Sequence, residues 1–381
     1  MDGQLKEKKN ICITITSIGM GGAEKQCLLL ASALKTAHNI HLIIIDHNPI
    51  HPPYLKIIER EGLDHMFLSA NPLKRIVDLI RFLRNKNIDV IFSFLPKDTT
   101  LSAICGKVAG VPYIFGGIRN SYLPKIKFVV LRFIHNLLLS YTIANNYSAY
   151  QAAIEFGFRE KVFVIHNGIN IRPILQKPDQ EKKTLRIISV GRFVKQKDYE
   201  TALKSIRRLK QILDKNQRFK YCIVGSGPER KTIIENIEKF GLENEVEIIS
   251  DPPVIYDLLE EADIYLCTST FEGISNAIME AMNCELPIVA TDAGDNSHLV
   301  IHEKNGFITD INDHLKIAEN LCVLMENPKI RNLMGQESHN HLAQHFGYDS
   351  FRKKYLDVID HLDDIQLYKG NFRVKASRPI I

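Results

Sequence analysis

Two cations, two carboxylates and one glycine run are the residues of this 381-residue chain whose types and spacing could do chemistry. Arg192 and Lys197 follow the apolar run LRIISVG, five positions apart, so both can leave one strand tip. Paired cations at such a tip suit a diphosphate. Each charge pair at ~4 Å is worth roughly 4 kcal/mol at an effective dielectric near 20, before desolvation. Farther on, FEGISNAIME sets Glu272 and Glu280 around a helix start that Ser275 could cap. Gly273 lets the backbone come close to a ligand, and the amides of Ile274, Ser275 and Asn276 form a phosphate seat. Glu280 lies four positions after Asn276, on the same helix face, where it can hold the two hydroxyls of a ribose, while Glu272 can hold those of a sugar. The stretch between them is apolar, and an unpaired carboxylate buried there would be costly, which favours a ligand over a solvated face. Near the N-terminus, Gly19-Met20-Gly21-Gly22-Ala23-Glu24 links a β-branched run to a helical pattern, leaving bare backbone N–H groups at a helix start. A plain turn, a dinucleotide site and an approach to phosphate or sugar are all open readings there. Glu24 replaces the third glycine of a dinucleotide fingerprint, whereas Asp46 at the end of the next run suits a ribose-binding acid.

These groups need elements to position them. Short β-branched runs alternate with helical patterns: ICITITSI, HLIIID, DVIFSF and PYIFGG in the first half, then LRIISVGR, KYCIVGSG, VEIIS, DIYLCTS and PIVATD. That rhythm predicts α/β domains with parallel, doubly wound sheets and right-handed crossovers. The polar, Pro-bearing stretch before residue 185 divides the chain. The expected organisation is a domain over 1–172, a linker over 173–184, a domain over 185–345, and a last helix with a tail over 346–381. Two such sheets leave a cleft at the carboxyl ends of their strands, where ligands bind. A hydrophobic share of 45% against 24% charged residues excludes a wholly disordered chain. Seven cysteines with no CxxC pair read as reduced core thiols of a cytosolic protein. The charged start MDGQLKEKK is no signal peptide, and no run approaches the ~20 apolar residues of a membrane span.

Taken together, the GMGGAE loop, the HNGIN stretch at 166–170, GRFVKQKD, IVGSGPER, the paired glutamates and PIVATDAGDN resemble the GT4 family of retaining glycosyltransferases, with the GT-B fold. The likeness runs in register from about residue 11 to residue 310. It implies that Arg192 and Lys197 neutralise the donor diphosphate, that Glu272 faces the donor sugar, and that Glu280 binds the nucleotide ribose. It further implies that Gly273, Ile274, Ser275 and Asn276 contact phosphate and sugar, that Gly21 and Gly22 close over the donor, and that Gly225 lies at the nucleoside. The implied reaction is hexosyl or N-acetylhexosaminyl transfer from a nucleotide diphosphate sugar, a UDP-sugar being expected, with anomeric retention. The leaving diphosphate is stabilised rather than a protein base employed. The absence of any D-x-D agrees with a metal-independent reaction without a cofactor. The sequence departs from the family where a histidine often follows the strand at 112–117. Arg119 and Asn120 stand there instead, as candidates for lining the acceptor site. Asn170 replaces an aspartate, and Ser297-His298 replaces an expected acid. A GT-B enzyme making a soluble glycoside and a non-catalytic nucleotide-sugar or NAD-binding protein are the rival readings.

Charge separates the halves. Residues 1–175 hold 21 Lys and Arg against 12 Asp and Glu, a net +9, whereas residues 176–381 hold 28 against 32, a net −4. Within the basic half, SYLPKIKFVVLRFIHNLLLSY mixes Lys125, Lys127, Arg132 and His135 with apolar residues. A basic amphipathic segment suits an anionic inner leaflet, each nearby cation being worth about 1 kcal/mol; a half-buried helix is the plainer alternative. Since GT4 enzymes often act on lipid-linked acceptors, the resemblance implies a lipid-linked oligosaccharide or glycolipid acceptor. The expected setting is bacterial O-antigen, capsule or lipopolysaccharide synthesis on the inner face of the plasma membrane. Nucleic acid is not an expected partner.

Overall fold

A computed structural model describes residues 7–119, 125–159, 161–174, 184–250, 252 and 254–363. Two compact units emerge. One comprises residues 1–168 together with 348–381, and the other is Ile169–Gly347. The chain therefore divides after Gly168, ahead of the polar stretch at 173–184, of which 175–183 lies outside the described residues.

Unit 1 carries β1 (Asn10–Ile15), α1 (Gly22–Leu34), β2 (Asn39–Ile44), α2 (Pro52–Arg60), β3 (Asp64–Phe67), α3 (Pro72–Asn85), β4 (Val90–Ser93) and α4 (Pro96–Ala109). It continues through β5 (Tyr113–Ile118), α5 (Lys125–Leu137), β6 (Tyr141–Ala144), α6 (Tyr147–Glu155) and β7 (Val162–Val164). The strands pair in parallel in the order β3-β2-β1-β4-β5-β6-β7. The order reverses between β1 and β4, and their carboxyl ends mark the switch point where such sheets bind ligands. Ile11, Ile13 and Ile15 of β1 point into the layer that includes α1, while Cys12 points into the opposite layer with Leu79, Leu83 and Ile134. Burial on both faces is why β1 reads as a nearly unbroken apolar run.

Unit 2 holds β8 (Thr184–Val190), a 3-10 turn at Lys195–Lys197, α7 (Tyr199–Ile212), β9 (Arg218–Val224), α8 (Arg230–Phe240), β10 (Val246–Ile249), α9 (Ile255–Glu261) and β11 (Ile264–Cys267). Then come α10 (Asn276–Met282), β12 (Ile288–Thr291), α11 (Asn296–Leu299), β13 (Gly306–Thr309), α12 (His314–Glu326) and α13 (Pro328–Phe346). Its parallel order, β10-β9-β8-β11-β12-β13, reverses between β8 and β11. These are the strands that lead to Arg192 and Glu272.

The last helix, α14 (Tyr348–Asp360), belongs to unit 1. Phe351, Tyr355, Val358 and Ile359 bury against the layer that holds α1, each contributing about 1.5–3 kcal/mol. Arg352 Nε donates to the Ala33 carbonyl at 2.9 Å. Gly168 faces Phe351 so closely that any Cβ would lie 2.5 Å from its ring, so the HNGIN glycine is required by packing. Six of the seven cysteines are buried and none is in a disulfide. Among the described residues no helix is long and apolar enough to cross a membrane.

Candidate active site

The β8 turn is built by close backbone packing. Gly191 N–H donates to Val224 O at 3.0 Å, Phe193 N–H to Ser226 O at 2.8 Å and Glu229 N–H to Phe193 O at 2.9 Å. Gly225 has φ +147°, and a Cβ there would sit 2.0 Å from the Gly191 carbonyl oxygen. Its first duty is thus to let the β9 turn touch the segment carrying Arg192. With Phe193 fully buried as an anchor, Arg192 projects exposed and forms no ion pair among the described residues.

Lys197 is placed differently. It ends the 3-10 turn, and Asp198 then adopts a left-handed φ of +46° while its carboxylate accepts from Thr201 N–H at the start of α7. This turn is locked to the loop after β11. Thr268 Oγ1 lies 3.1 Å from Lys197 O and 2.9 Å from Asp198 O, the shorter contact taking its proton. Thr270 N–H donates to Gln196 O at 2.9 Å, and Gln196 Nε2 donates to Phe271 O at 2.6 Å. The two loops that flank the switch point are therefore one unit, and their interlock presents Lys197 Nζ to Glu272 Oε1 at 2.5 Å. Ser269 Oγ donates to the same oxygen at 2.8 Å. Burial pulls the Lys197 ammonium down, but the Glu272 carboxylate outweighs it and the group titrates above its ordinary value. The expectation that Glu272 is an unpaired buried carboxylate is thus corrected, since 75 positions away the chain supplies its cation. Lys197 is likewise not a free loop cation like Arg192.

The segment after β12 buttresses Glu272 from behind. Gly294 has φ +60°, a Cβ there would lie 1.9 Å from the Glu272 carbonyl oxygen, and Asp295 N–H donates to Gly273 O at 3.0 Å. Ser275 caps α10 as its position suggests, accepting from Ile278 N–H, and Ile274 is buried. Asn276 and Glu280 are half-buried on α10. Arg192, Lys197, Gly225, Glu272, Gly273, Ile274, Ser275, Asn276 and Glu280 thus all belong to unit 2. A cation that is neutralised until a diphosphate competes for it, beside a carboxylate that sugar hydroxyls can engage, is chemically suited to hold a sugar diphosphate ester.

Gly21, Gly22 and Arg119 lie in unit 1. Gly21 precedes α1 with extended backbone, and the Glu24 carboxylate folds back over it so that a Cβ would meet Oε2 at 2.2 Å. That carboxylate is raised above its ordinary value by burial. Asp46 is engaged by Lys97 at 2.5 Å and Arg75 at 3.3 Å. Both features work against a dinucleotide pyrophosphate and its ribose. Arg119 follows β5, half-buried, with its guanidinium 4.1 Å from the Phe94 ring centroid and Nη1 donating to Asn167 Oδ1 at 3.0 Å. Its Nε has no partner among the described residues. Beneath the switch point Asp98 accepts from Phe94 N–H, Leu95 N–H and Thr16 Oγ1, and burial pushes it up to about 6. Asn120 lies outside the described residues, as does the Lys125 side chain; Lys127 and Arg132 are exposed on α5. His135 does not join that basic face. It is buried, its Nδ1 2.6 Å from Thr142 Oγ1 and its Nε2 3.2 Å from Arg159 O, and burial lowers it to about 4. Thr268 and Ser269 had no spacing signal to reveal them; the pairing of β8 with β11 brings them to the Lys197 turn, and the pairing of β11 with β12 brings Gly294.

Comparison with known proteins follows the same two-part division. Residues 20–172 match the model of Glycosyltransferase Family 4, and residues 170–341 match that of Glycosyl transferases group 1. The chain is 31% identical over 177 residues to the putative colanic acid biosynthesis glycosyltransferase WcaL of Escherichia coli, covering 44% of this chain and 43% of that protein. It is 24% identical over 342 residues to the N-acetylgalactosamine-N,N'-diacetylbacillosaminyl-diphospho-undecaprenol 4-alpha-N-acetylgalactosaminyltransferase of Campylobacter jejuni, covering 84% of this chain and 91% of that one. The chain thus spans less than half of the first relative and nearly all of the second. Its fold is shared with the crystal structure of Anabaena Alr3699/HepE in complex with UDP, at a TM-score of 0.81 and 19% identity over 92% of this chain and 99% of that one.

Proposed function

This chain belongs to the group 1 glycosyltransferases of the GT-B fold, and we propose that it transfers a hexosyl or N-acetylhexosaminyl group from a UDP-sugar to a lipid-linked oligosaccharide or glycolipid, with anomeric retention. The observation that carries the reading is the interlock of the β8 and β11 loops, which sets Lys197 against Glu272 and leaves Arg192 exposed near them. In the proposed reaction the acceptor hydroxyl oxygen bonds to the anomeric carbon on the face that the diphosphate leaves, the bond from that carbon to the diphosphate oxygen breaks, and the hydroxyl proton passes to the departing diphosphate. Arg192 and Lys197 stabilise the charge on the departing diphosphate, and Glu272, relieved of its cation, holds donor hydroxyls. The half-buried Glu280 on α10 takes the ribose hydroxyls. Arg119, with an unsatisfied Nε, lines the acceptor side in unit 1. The lipid-linked acceptor is supported by the Campylobacter jejuni relative, whose name specifies a diphospho-undecaprenol substrate, and the uracil base by the UDP bound to Alr3699/HepE. The setting is surface polysaccharide synthesis at the inner face of the plasma membrane, with no metal or cofactor required.

The test is incubation with a panel of UDP-, GDP- and ADP-sugars and polyprenyl-diphosphate-linked oligosaccharides, with and without EDTA. The anomeric configuration of the product is then read by NMR. Retained configuration, a UDP-sugar donor and EDTA-resistant turnover are expected. Stabilisation by NAD alone, with no nucleoside diphosphate binding, would overturn the reading.

A further inference from the structure

Helix α5 is amphipathic in an unusual sense. Phe128, Leu131 and Ile134 face the interior, yet the opposite side is also apolar: Ile126 is 75% exposed, Phe133 64%, and Val129, Val130 and Leu137 about half. Positions 126, 129, 130, 133 and 137 recur at helical spacing, so they form one stripe along a helix about 20 Å long. Scattered exposed apolar residues are ordinary, but five in one stripe mark a surface that another phase or molecule covers. Helix α4, which packs beside α5, adds exposed Ile104 and Val108. The exposed charges carried by α4 and α5 themselves are of one sign. Lys127, Arg132 and Lys107 are exposed, and the only acid in either helix, Asp98, is fully buried.

We propose that the α4–α5 face docks on an anionic lipid bilayer, with Ile126, Val129, Val130, Phe133 and Leu137 entering the headgroup boundary and Lys107, Lys127 and Arg132 meeting lipid phosphates. Charge complementarity selects this occupant. A two-fold pairing of two copies through the stripe would bring Lys127 and Arg132 near the same cations, whereas an anionic surface attracts all three. An apolar stripe flanked by lysine and arginine is also the composition of helices that lie in the membrane interface. The surface deepens the proposed action on a lipid-linked acceptor and rests on that reading for its purpose, although its binding is measurable without turnover.

The experiment is co-sedimentation of the full chain with vesicles of equal parts phosphatidylglycerol and phosphatidylcholine, and with phosphatidylcholine alone. Comparison proteins are the Val129→Glu, Phe133→Glu and the Lys127→Ala, Arg132→Ala double variants, with UDP binding and circular dichroism measured on each. Wild type should bind the anionic vesicles, more weakly as salt rises. The glutamate variant should lose binding at least tenfold, and the alanine variant about 25-fold, at about fivefold per cation. UDP binding should be unchanged in both. Equal sedimentation of wild type and the glutamate variant, or no binding of wild type to anionic vesicles, would overturn the proposal. So would a wild-type dimer in analytical ultracentrifugation that the glutamate variant dissociates, since the stripe would then belong to a second copy. Loss of UDP binding in wild type with vesicle binding intact would instead sink the catalytic reading alone.

Discussion

Replacing Lys197 by alanine probes the pair on which the proposed site turns, because it does two things at once. It removes an ammonium that would meet the donor diphosphate, and it leaves Glu272, whose side chain is only 10% exposed, without its cation. A hydrogen bond to a charged group contributes about 1.5–3 kcal/mol, and orphaning one member of a buried pair costs about 3–5 kcal/mol. The second cost is felt partly on folding and partly on binding, since a diphosphate brings further negative charge toward the orphaned carboxylate. UDP affinity in Lys197→Ala should therefore fall at least about 100-fold, or about 2.7 kcal/mol. Adding Glu272→Gln removes the orphaned charge, so the double variant should regain about tenfold, though not wild-type affinity. Arg192 is exposed and forms no ion pair among the described residues, so Arg192→Ala should cost about tenfold with no comparable rescue by Glu272→Gln. Isothermal titration with UDP on these variants, with circular dichroism to confirm folding, gives all the values required. If Lys197→Ala, Glu272→Gln binds UDP no better than Lys197→Ala, Glu272 does not face the diphosphate and the reasoning fails.

Three further outcomes are expected. Gly294→Ala forces a Cβ against the Glu272 carbonyl at φ +60°, so urea unfolding should show a loss of about 1–3 kcal/mol and turnover should fall with it. Thr268→Val removes the hydroxyl that donates to Asp198 O beside Lys197; about 1–3 kcal/mol of stability should be lost, and UDP affinity should drop although residue 268 meets no ligand. His135 is held below its ordinary value, so its stabilising contribution is complete above about pH 6.5 and is lost as pH falls toward 4. Between pH 7 and pH 5 the wild type should lose about 2 kcal/mol that His135→Gln does not lose, measured by urea titration at both pH values.

Strands buried on both faces were legible because such strands are apolar along their length, as in ICITI and LRIISV. The polar edge strand β3, Asp-His-Met-Phe, carries no such run and escapes the pattern. Helix α13 escapes for another reason: its buried stripe includes Gly335, Ser338 and His339, and Gly335 is there to pass within van der Waals range of Glu285 O. The site was legible as far as Arg192, Glu272 and the Ser275 cap, each of which follows a strand by local rules. That Lys197 and Glu272 satisfy each other was not, because it depends on β8 lying beside β11, a fact of topology rather than of spacing. The end of the first domain was less legible for a similar reason. The expected domain runs to residue 172, yet Arg172 N–H donates to Asn283 Oδ1 and Asn283 Nδ2 to Asn170 O, tying these residues into unit 2.

Those ties have an architectural consequence. Unit 2 begins at Ile169 and ends at Gly347, and the two residues form a parallel bridge, with Ile169 N–H donating to Phe346 O at 3.0 Å. A segment whose entrance and exit are bonded neighbours is closed on itself: it can be cut out as 169–347 without leaving a frayed end, or replaced by a relative's equivalent through a single pair of junctions. Variation in unit 2 can then proceed as a module exchange, with every strand of unit 1 left in register.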